Sequence, residues 1–429
     1  LGAQSRSSCS VSRPLVRVAM RGLVCALVLN ATAAAAGAFA IFGLRLFGSG
    51  SEEVDAGVVD PLTYTATLEA PAADADMLSA LKAASQLVTE AKRPVSGSLG
   101  LLSRARSDRQ RLVAVLYEKA RYEGVVDIRI EGKSIDDLPP DAQFGVEPVP
   151  VTIEVSVGPL FKLGDVALKG DAADLTPTQF GLERGGDAGS VRVLRAEREI
   201  VRHLQEEGRP LAKAAGRDAV ADHARTELDV GIDVAAGPVA GYGPTTVSGT
   251  QTMDRDFTAY MAGLVEGQIY SPSEVDAARE RLLNLGIFSN VAVAPAETLD
   301  ANGRIPMNVS VTERKLRYFG AGASFSSTDG AGVEGYWGHR NLFGHAEKLR
   351  IEGSIGGVGD RSSVDKLNYN ASIMFEKPGV VGPASKFFTG VKVFYEHPDA
   401  YDRFSAKANI GLSYELTRQQ TVSGELSVD

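Results

Sequence analysis

The chain has 429 residues, 23% of them charged and 44% hydrophobic, with 46 glycines and a formal net charge of −9. That balance excludes both a disordered chain and a bundle of membrane helices, and the length leaves room for roughly two to four domains. Acidic and basic residues are interleaved, so no basic stripe is available to neutralise phosphates, and nucleic acid is not expected as a partner.

Arg13, Arg17 and Arg21 precede a small and apolar run over residues 22–42, with Ala38 and Ala40 near its end. A positive start, an apolar centre and small residues predict a secretory signal within an N-terminal extension of residues 1–47. The alternative is a retained membrane anchor, since the run reaches Phe47 with only Asn30, Thr32 and Arg45 interrupting it. Position 1 is not Met, and Met20 followed by Arg21 would open a more compact signal. Cys9 and Cys25 are the only cysteines and lie ahead of the expected folded region, which fits an oxidising compartment. Residues 48–60 read as a linker.

Three similar units follow, over residues 61–158, 159–237 and 238–314. Gly158-Pro159, Gly164 and Gly170 recur 79 positions later as Gly237-Pro238, Gly243 and Gly249. Each unit is predicted as strand, two helices and two strands. The second helix carries an apolar face in every case, with Leu112, Val115, Leu116 and Ala120 before Gly124, Ile200, Val201 and Leu204 before Gly208, and Leu282, Leu283 and Leu285 before Gly286. A glycine there is an expected helix stop. A strand through Val126, Ile128 and Ile130 follows in the first unit, and one through Phe288, Val291 and Val293 in the third. The closing strands alternate: Val151, Ile153, Val155, Val157; Leu228, Val230, Ile232, Val234; Met307, Val309, Val311. Helices on one face of so small a sheet leave strand edges available.

From 315 to 429 the period is two. Phe404, Ala406, Ala408, Ile410, Leu412, Tyr414 and Leu416 share one side, against Ser405, Lys407, Asn409, Gly411, Ser413 and Glu415. Leu367, Tyr369, Ala371, Ile373 and Phe375 form another such run, and Leu349, Ile351 and Ile355 a third. Charge is kept off the apolar parity except at run ends, as at Arg317, and aromatics gather there: Phe319, Phe325, Trp337, Phe375, Tyr395, Phe404 and Tyr414. A transmembrane β-barrel and a soluble antiparallel sandwich both alternate in this way, and the run length and charge pattern favour the barrel.

Chemistry is not legible. Gly330, Gly332 and Gly335 have the spacing of a dinucleotide loop but run into Tyr336 and Trp337, where a strand is expected in place of a helix N-terminus. His203, His223, His339, His345 and His397 show no ligand spacing, and Glu206-Glu207 and Glu52-Glu53 read as solvated pairs. No catalytic residue, metal or cofactor is assigned, and no enzyme is expected.

Taken with the segment from Arg340 through Asn341, Leu342, Phe343 and Gly344 to Leu349, and with the helix-to-strand segment 283–291, the three units and the alternating tail resemble the Omp85 superfamily. The resemblance implies α+β polypeptide-transport-associated (POTRA) repeats before an all-β antiparallel outer-membrane barrel. Only the first six to seven of about sixteen barrel strands fall within residues 315–429, so the sequence is expected to be a C-terminally truncated piece. Three units resemble the translocation and assembly module (TamA-like) subfamily, rather than central insertases with five or two-partner secretion transporters with two.

The function implied is non-enzymatic: client β-segments, from autotransporters or other barrel proteins, received by periplasmic repeats and passed into the outer membrane through the barrel. The partners implied are an inner-membrane-anchored TamB-like protein, unfolded outer-membrane clients and outer-membrane lipid. On the first barrel strand, Gly320, Gly322 and Ser324 alternate with Phe319, Ala321, Ala323 and Phe325. Small residues there are expected to weaken packing and make the strand one side of a gate. Arg340, Asn341, Phe343 and Gly344 are expected to form a turn. It either positions strands near the seam or is a generic periplasmic turn with Gly344 at positive φ. Two rivals stay open: a secretion pore and a soluble periplasmic binding module.

Overall fold

The computed structural model describes residues 60–326, 330–358, 367–396, 403–417 and 419–429, with one pair of two-residue strands at 40–41 and 44–45. The signal, the linker as far as residue 59, and His397 lie outside the side chains described.

In unit one a four-stranded sheet places Val149–Ser156 between Tyr64–Glu69, which is parallel to it, and Val125–Ile130, which is antiparallel. Unit two repeats the arrangement with Glu227–Ala235 between Lys162–Gly170 and Lys213–Asp222. Unit three does so with Ile305–Glu313 between Tyr242–Ser248 and Phe288–Pro295. The closing strand is therefore the central one each time. Its alternating apolar residues explain why: Ile153, Ile232 and Val309 are all buried under the helices, and a strand flanked on both sides is the one whose inward face is best covered.

The helices depart from the uniform pattern in instructive ways. Unit three has two, Arg255–Ala262 and Pro272–Asn284. In unit two the first is a single 3-10 turn, Pro177–Phe180, opened by Pro177 at its first position and ended at once by Gly181 at φ 73°. Unit one has three, ending in the long Gly97–Glu118. Gly208 and Gly286 terminate their helices at φ 87° and 73° as expected. Gly124 does not: the helix ends earlier, and Ala120 takes the left-handed conformation at φ 56°. Gly124 serves close packing, because a Cβ on it would lie 2.7 Å from Leu116 Cδ1.

The units are joined by a repeated step. Phe161 N–H donates to Ala120 O at 2.9 Å, and 79 positions on Ala240 N–H donates to Gly208 O at 2.9 Å. Both acceptors are the left-handed residues just past a helix. Side chains reinforce each joint. Tyr122 Oη donates to Ala188 O at 2.6 Å, and Glu206 accepts from the Ser271 and Ser273 hydroxyls, so Glu206 is more than a solvated carboxylate.

The tail is one antiparallel sheet of seven strands in sequential order: Arg317–Ser326, Gly330–His339, Lys348–Val358, Asn368–Pro378, Ser385–Glu396, Arg403–Thr417 and Gln420–Val428. Register carries the apolar parity across all of them, for example from Phe319 to Trp337, Ile351, Ile373, Val391 and Ala408. The glycine-rich 330–335 segment opens the second strand and precedes no helix. No helix among the described residues is long and apolar enough to cross a membrane, a statement that says nothing of strands.

Candidate functional site: the first strand and its junction with unit three

The first strand is an edge. Among the described residues Arg317–Ser326 pairs only with the second strand, and its other side carries no ladder. On the apolar face Phe319 and Phe325 are 84% and 81% exposed.

The structure gives Gly320 and Gly322 a different physical role from the loosening read in the sequence. Gly320 is the register partner of Tyr336, and a Cβ on it would lie 2.5 Å from the Tyr336 ring. Gly338 is the partner of Tyr318, and its Cβ would lie 2.5 Å from Tyr318 Oη. Each tyrosine thus lies over the glycine of the neighbouring strand, so two rings cross one strand pair. A Cβ on Gly322 would lie 2.9 Å from Glu334 Oε1, and Ser324 faces Gly332. Small residues here let the first strand sit tightly on the second, while its far edge stays unpaired. The device recurs where Phe388 lies over Gly411, between the fifth and sixth strands.

The turn after the second strand is fixed from within and docked on unit three. Asn341, 4% exposed, donates through Nδ2 to Thr252 O at 3.0 Å and accepts at Oδ1 from Ala346 N–H at 2.9 Å. Glu347, 1% exposed, accepts from the N–H groups of Phe343 and His345. Gly344 has φ 100°, which permits the reversal, and its carbonyl accepts from Asp254 N–H, the residue that caps the helix Arg255–Ala262.

Arg340 turns the other way. Its guanidinium donates to Lys315 O at 2.8 Å and stacks 4.2 Å over Tyr318, so it braces the start of the first strand. Phe343 remains 73% exposed. The turn is therefore both a positive-φ reversal and a brace for the first strand.

Residues that the sequence did not single out complete the junction. Glu313 receives the N–H groups of Gln251, Thr252 and Met253 and the Thr252 hydroxyl. Burial pushes its carboxyl up, but these donors outweigh burial and hold it below the ordinary glutamate range. Phe257 meets the His345 ring edge-on at 4.7 Å, and Tyr260 Oη donates to Gly379 O in the next turn of the sheet. A buried Asn in a turn and a carboxylate closing a strand are the only signals that could have pointed here.

Unpaired edges also occur on the units. Among the described residues Lys213–Asp222 has no second neighbour, and beside it a groove of about 380 Å³ is lined by Tyr117, Tyr122, Val193, Leu194, Ala219 and Ala221. Burial, followed by the charge of Asp187, pushes the Tyr122 phenol up to about 12. The histidines stand apart, with His203 near Glu207 and His223 near Glu123. Among the described residues no group of three His, Cys, Asp or Glu is placed to hold a metal.

Residues 242–314 match the family described as POTRA, surface antigen variable number repeat. Over 110 residues the chain is 32% identical to outer envelope protein 80, chloroplastic, of Oryza sativa subsp. japonica, a match spanning 24% of this chain and 16% of that one. BamA from Haemophilus ducreyi lacking POTRA domains 1–3 superposes with a TM-score of 0.50 at 15% identity, over 62% of this chain and 50% of that one. CdiB from Escherichia coli is similar at a TM-score of 0.35 and 14% identity, over 77% and 57% of the two chains. The chain thus spans half or less of the length of the rice envelope protein and of the Haemophilus BamA structure. Its third unit matches the POTRA family and runs directly into an antiparallel seven-stranded sheet, the order of folds that the chain shares with the Haemophilus ducreyi BamA structure.

Proposed function

We propose that the protein is a non-enzymatic outer-membrane assembly factor whose units lie in the periplasm and whose sheet is the opening part of a membrane barrel. The observation that carries this reading is the register. One face stays apolar through seven paired strands, and that sheet begins with a strand fastened on one side and open on the other. Lipid against one surface and water against the other is the setting in which that division lowers the free energy.

Extended client segments would add to the unpaired unit edges through backbone hydrogen bonds, which need no shared client sequence, and then pair with the open edge of the first strand. The subfamily reading is TamA-like. It adds an inner-membrane-anchored TamB-like protein as the partner of the units, autotransporters and other barrel proteins as clients, and passage of lipid between membranes as a further role.

Photocrosslinkers at Ala321 and Ala219 in the full-length protein test this. Adducts with unfolded barrel clients are the expected result, and their absence while the protein is folded in the membrane would overturn it. A secretion pore or a general insertase of BamA type would use the same architecture. Steady conductance of the complete barrel in a planar bilayer would favour the pore.

A further inference from the structure

On the sheet face that carries Ile351, Ile373, Val391, Ile410 and Leu426, the only full charges among the described strand residues are Arg317 and Lys377. Both are positive and exposed, and both stand at the end where the turns rest on unit three. Neither is ion-paired among the described residues. A charge facing hydrocarbon costs roughly 2–4 kcal/mol at the midplane and about 0–1 at the interface, so position alone explains why they are tolerated there. It does not explain why both are cations.

The surroundings narrow the choice of counter-ion. Arg317 is the register partner of His339, whose ring lies 6.3 Å from that of Trp337, and Lys377 is the partner of Phe387. Aromatic rings therefore sit just inside the two charges, as they do at a headgroup level. Phe343 and Val381, 73% and 60% exposed, give the neighbouring turns apolar tips. Arg314 and Lys315 in the link to unit three are exposed cations too, whereas the adjacent Glu313 has its carboxylate taken up by Thr252 and the backbone around it. Negative charge is consumed locally and positive charge is left facing out.

We propose that this rim binds the phosphate groups of anionic phospholipids in the leaflet nearest unit three, with Arg317 and Lys377 as the principal contacts and Arg314 and Lys315 as flanking ones. It rests on the membrane reading above, though not on the assembly role. A lipid is favoured over a protein ligand because the two charges lie on the parity that faces hydrocarbon, beside aromatic rings. Guanidinium and ammonium groups both serve phosphate, the first in bidentate fashion.

Trp337 is the sole tryptophan of this sequence and stands beside the proposed site. The full-length protein, with any tryptophan beyond these residues replaced by Phe, is reconstituted in phosphatidylcholine vesicles. Brominated phosphatidylglycerol or brominated phosphatidylcholine is then titrated in, and quenching gives the ratio of the two binding constants. The ratio is expected to favour the anionic lipid and to fall by roughly fivefold for each cation removed in Arg317→Gln and Lys377→Gln. It should approach one in the double variant and collapse in the unaltered protein at about 1 M salt. Lys386→Gln, which removes a cation already paired with Glu376 on the other face, should leave it unchanged. A ratio near one in the unaltered protein, or one that survives both substitutions, overturns the proposal. Trp337 untouched by either brominated lipid would overturn the membrane reading itself, a distinct result.

Discussion

At the scale of single residues, the first strand shows why identity without geometry misleads. Gly320 and Gly322 look like weak points when read along the chain, since glycine contributes no side chain to a strand. Across the strand pair they are the floor on which Tyr336 and Glu334 lie. Gly320→Ala in the intact barrel should cost about 1–3 kcal/mol by forcing the Tyr336 ring away, seen as a lower temperature of the folded-to-unfolded mobility shift on gels. Gly356→Ala, where an added Cβ meets nothing, should behave as the parent protein. The buried amide of Asn341 gives a second expectation. Asn341→Ala leaves Ala346 N–H without its acceptor and Thr252 O without its donor, a loss of about 1–3 kcal/mol. Faster proteolysis between unit three and the sheet would report it. Asn341 was visible in the sequence as part of a motif, but its docking partner Thr252 lies 89 residues away, a distance no local pattern spans.

Among elements, alternation was the most legible signal. The closing strands, with Ile153, Ile232 and Val309 at their centres, were readable because a buried face must be apolar at every second residue. Helix number was not. Gly181 ends one expected helix after a single turn, and Ala120 takes a left-handed position that chemistry would assign to glycine. The sheet offers a matched pair of substitutions. Ile373→Arg places a charge on the apolar face and should cost about 2–4 kcal/mol in a bilayer, whereas Asn370→Arg on the opposite face should cost much less. Urea unfolding from vesicles measures both, and equal costs would contradict a lipid-facing surface.

The joint between units two and three has its own pH dependence. Burial raises the Glu206 carboxyl, but the Ser271 and Ser273 hydroxyls, Arg202 and the Ser273 N–H outweigh it and hold the group below the ordinary value. A lowered folded pKa means that the stabilisation is present above the unfolded value and is lost as pH falls through the folded one. The joint should hold at pH 7 and loosen once pH falls below the ordinary glutamate range, with small-angle scattering from units two and three showing a wider spread of angles in acid. In Glu206→Gln that acid transition should disappear.

For the whole molecule, the arrangement places an open strand edge at the head of a sheet and further unpaired edges along the units. If clients enter beside the first strand, a disulfide joining that strand to the last one of the complete barrel should stop client assembly. A disulfide between the register partners Ala323 and Val333 should leave assembly intact. Assembly assays under oxidising and reducing conditions separate the two cases, and loss of function in the second would mean that the first strand must leave its neighbour. Why the whole was only partly legible follows from where its information lies. Parity and repeats are local and survive in a single sequence. The docking of unit three beneath the turns rests on Glu313, Phe257, Tyr260 and Gly379, which come from three separate segments.

The repeated backbone bond between units has a mechanical consequence. Phe161 to Ala120 and Ala240 to Gly208 are main-chain links that bypass the flexible ends of side chains, and within unit three Arg314 N–H to Ile287 O ties the end of the closing strand to the strand beside it, just before the sheet begins. A tug on the outermost unit is then delivered, hinge by stiff hinge, to the residue where the first strand begins. Any partner that grips the far end holds a lever whose short arm is the open edge.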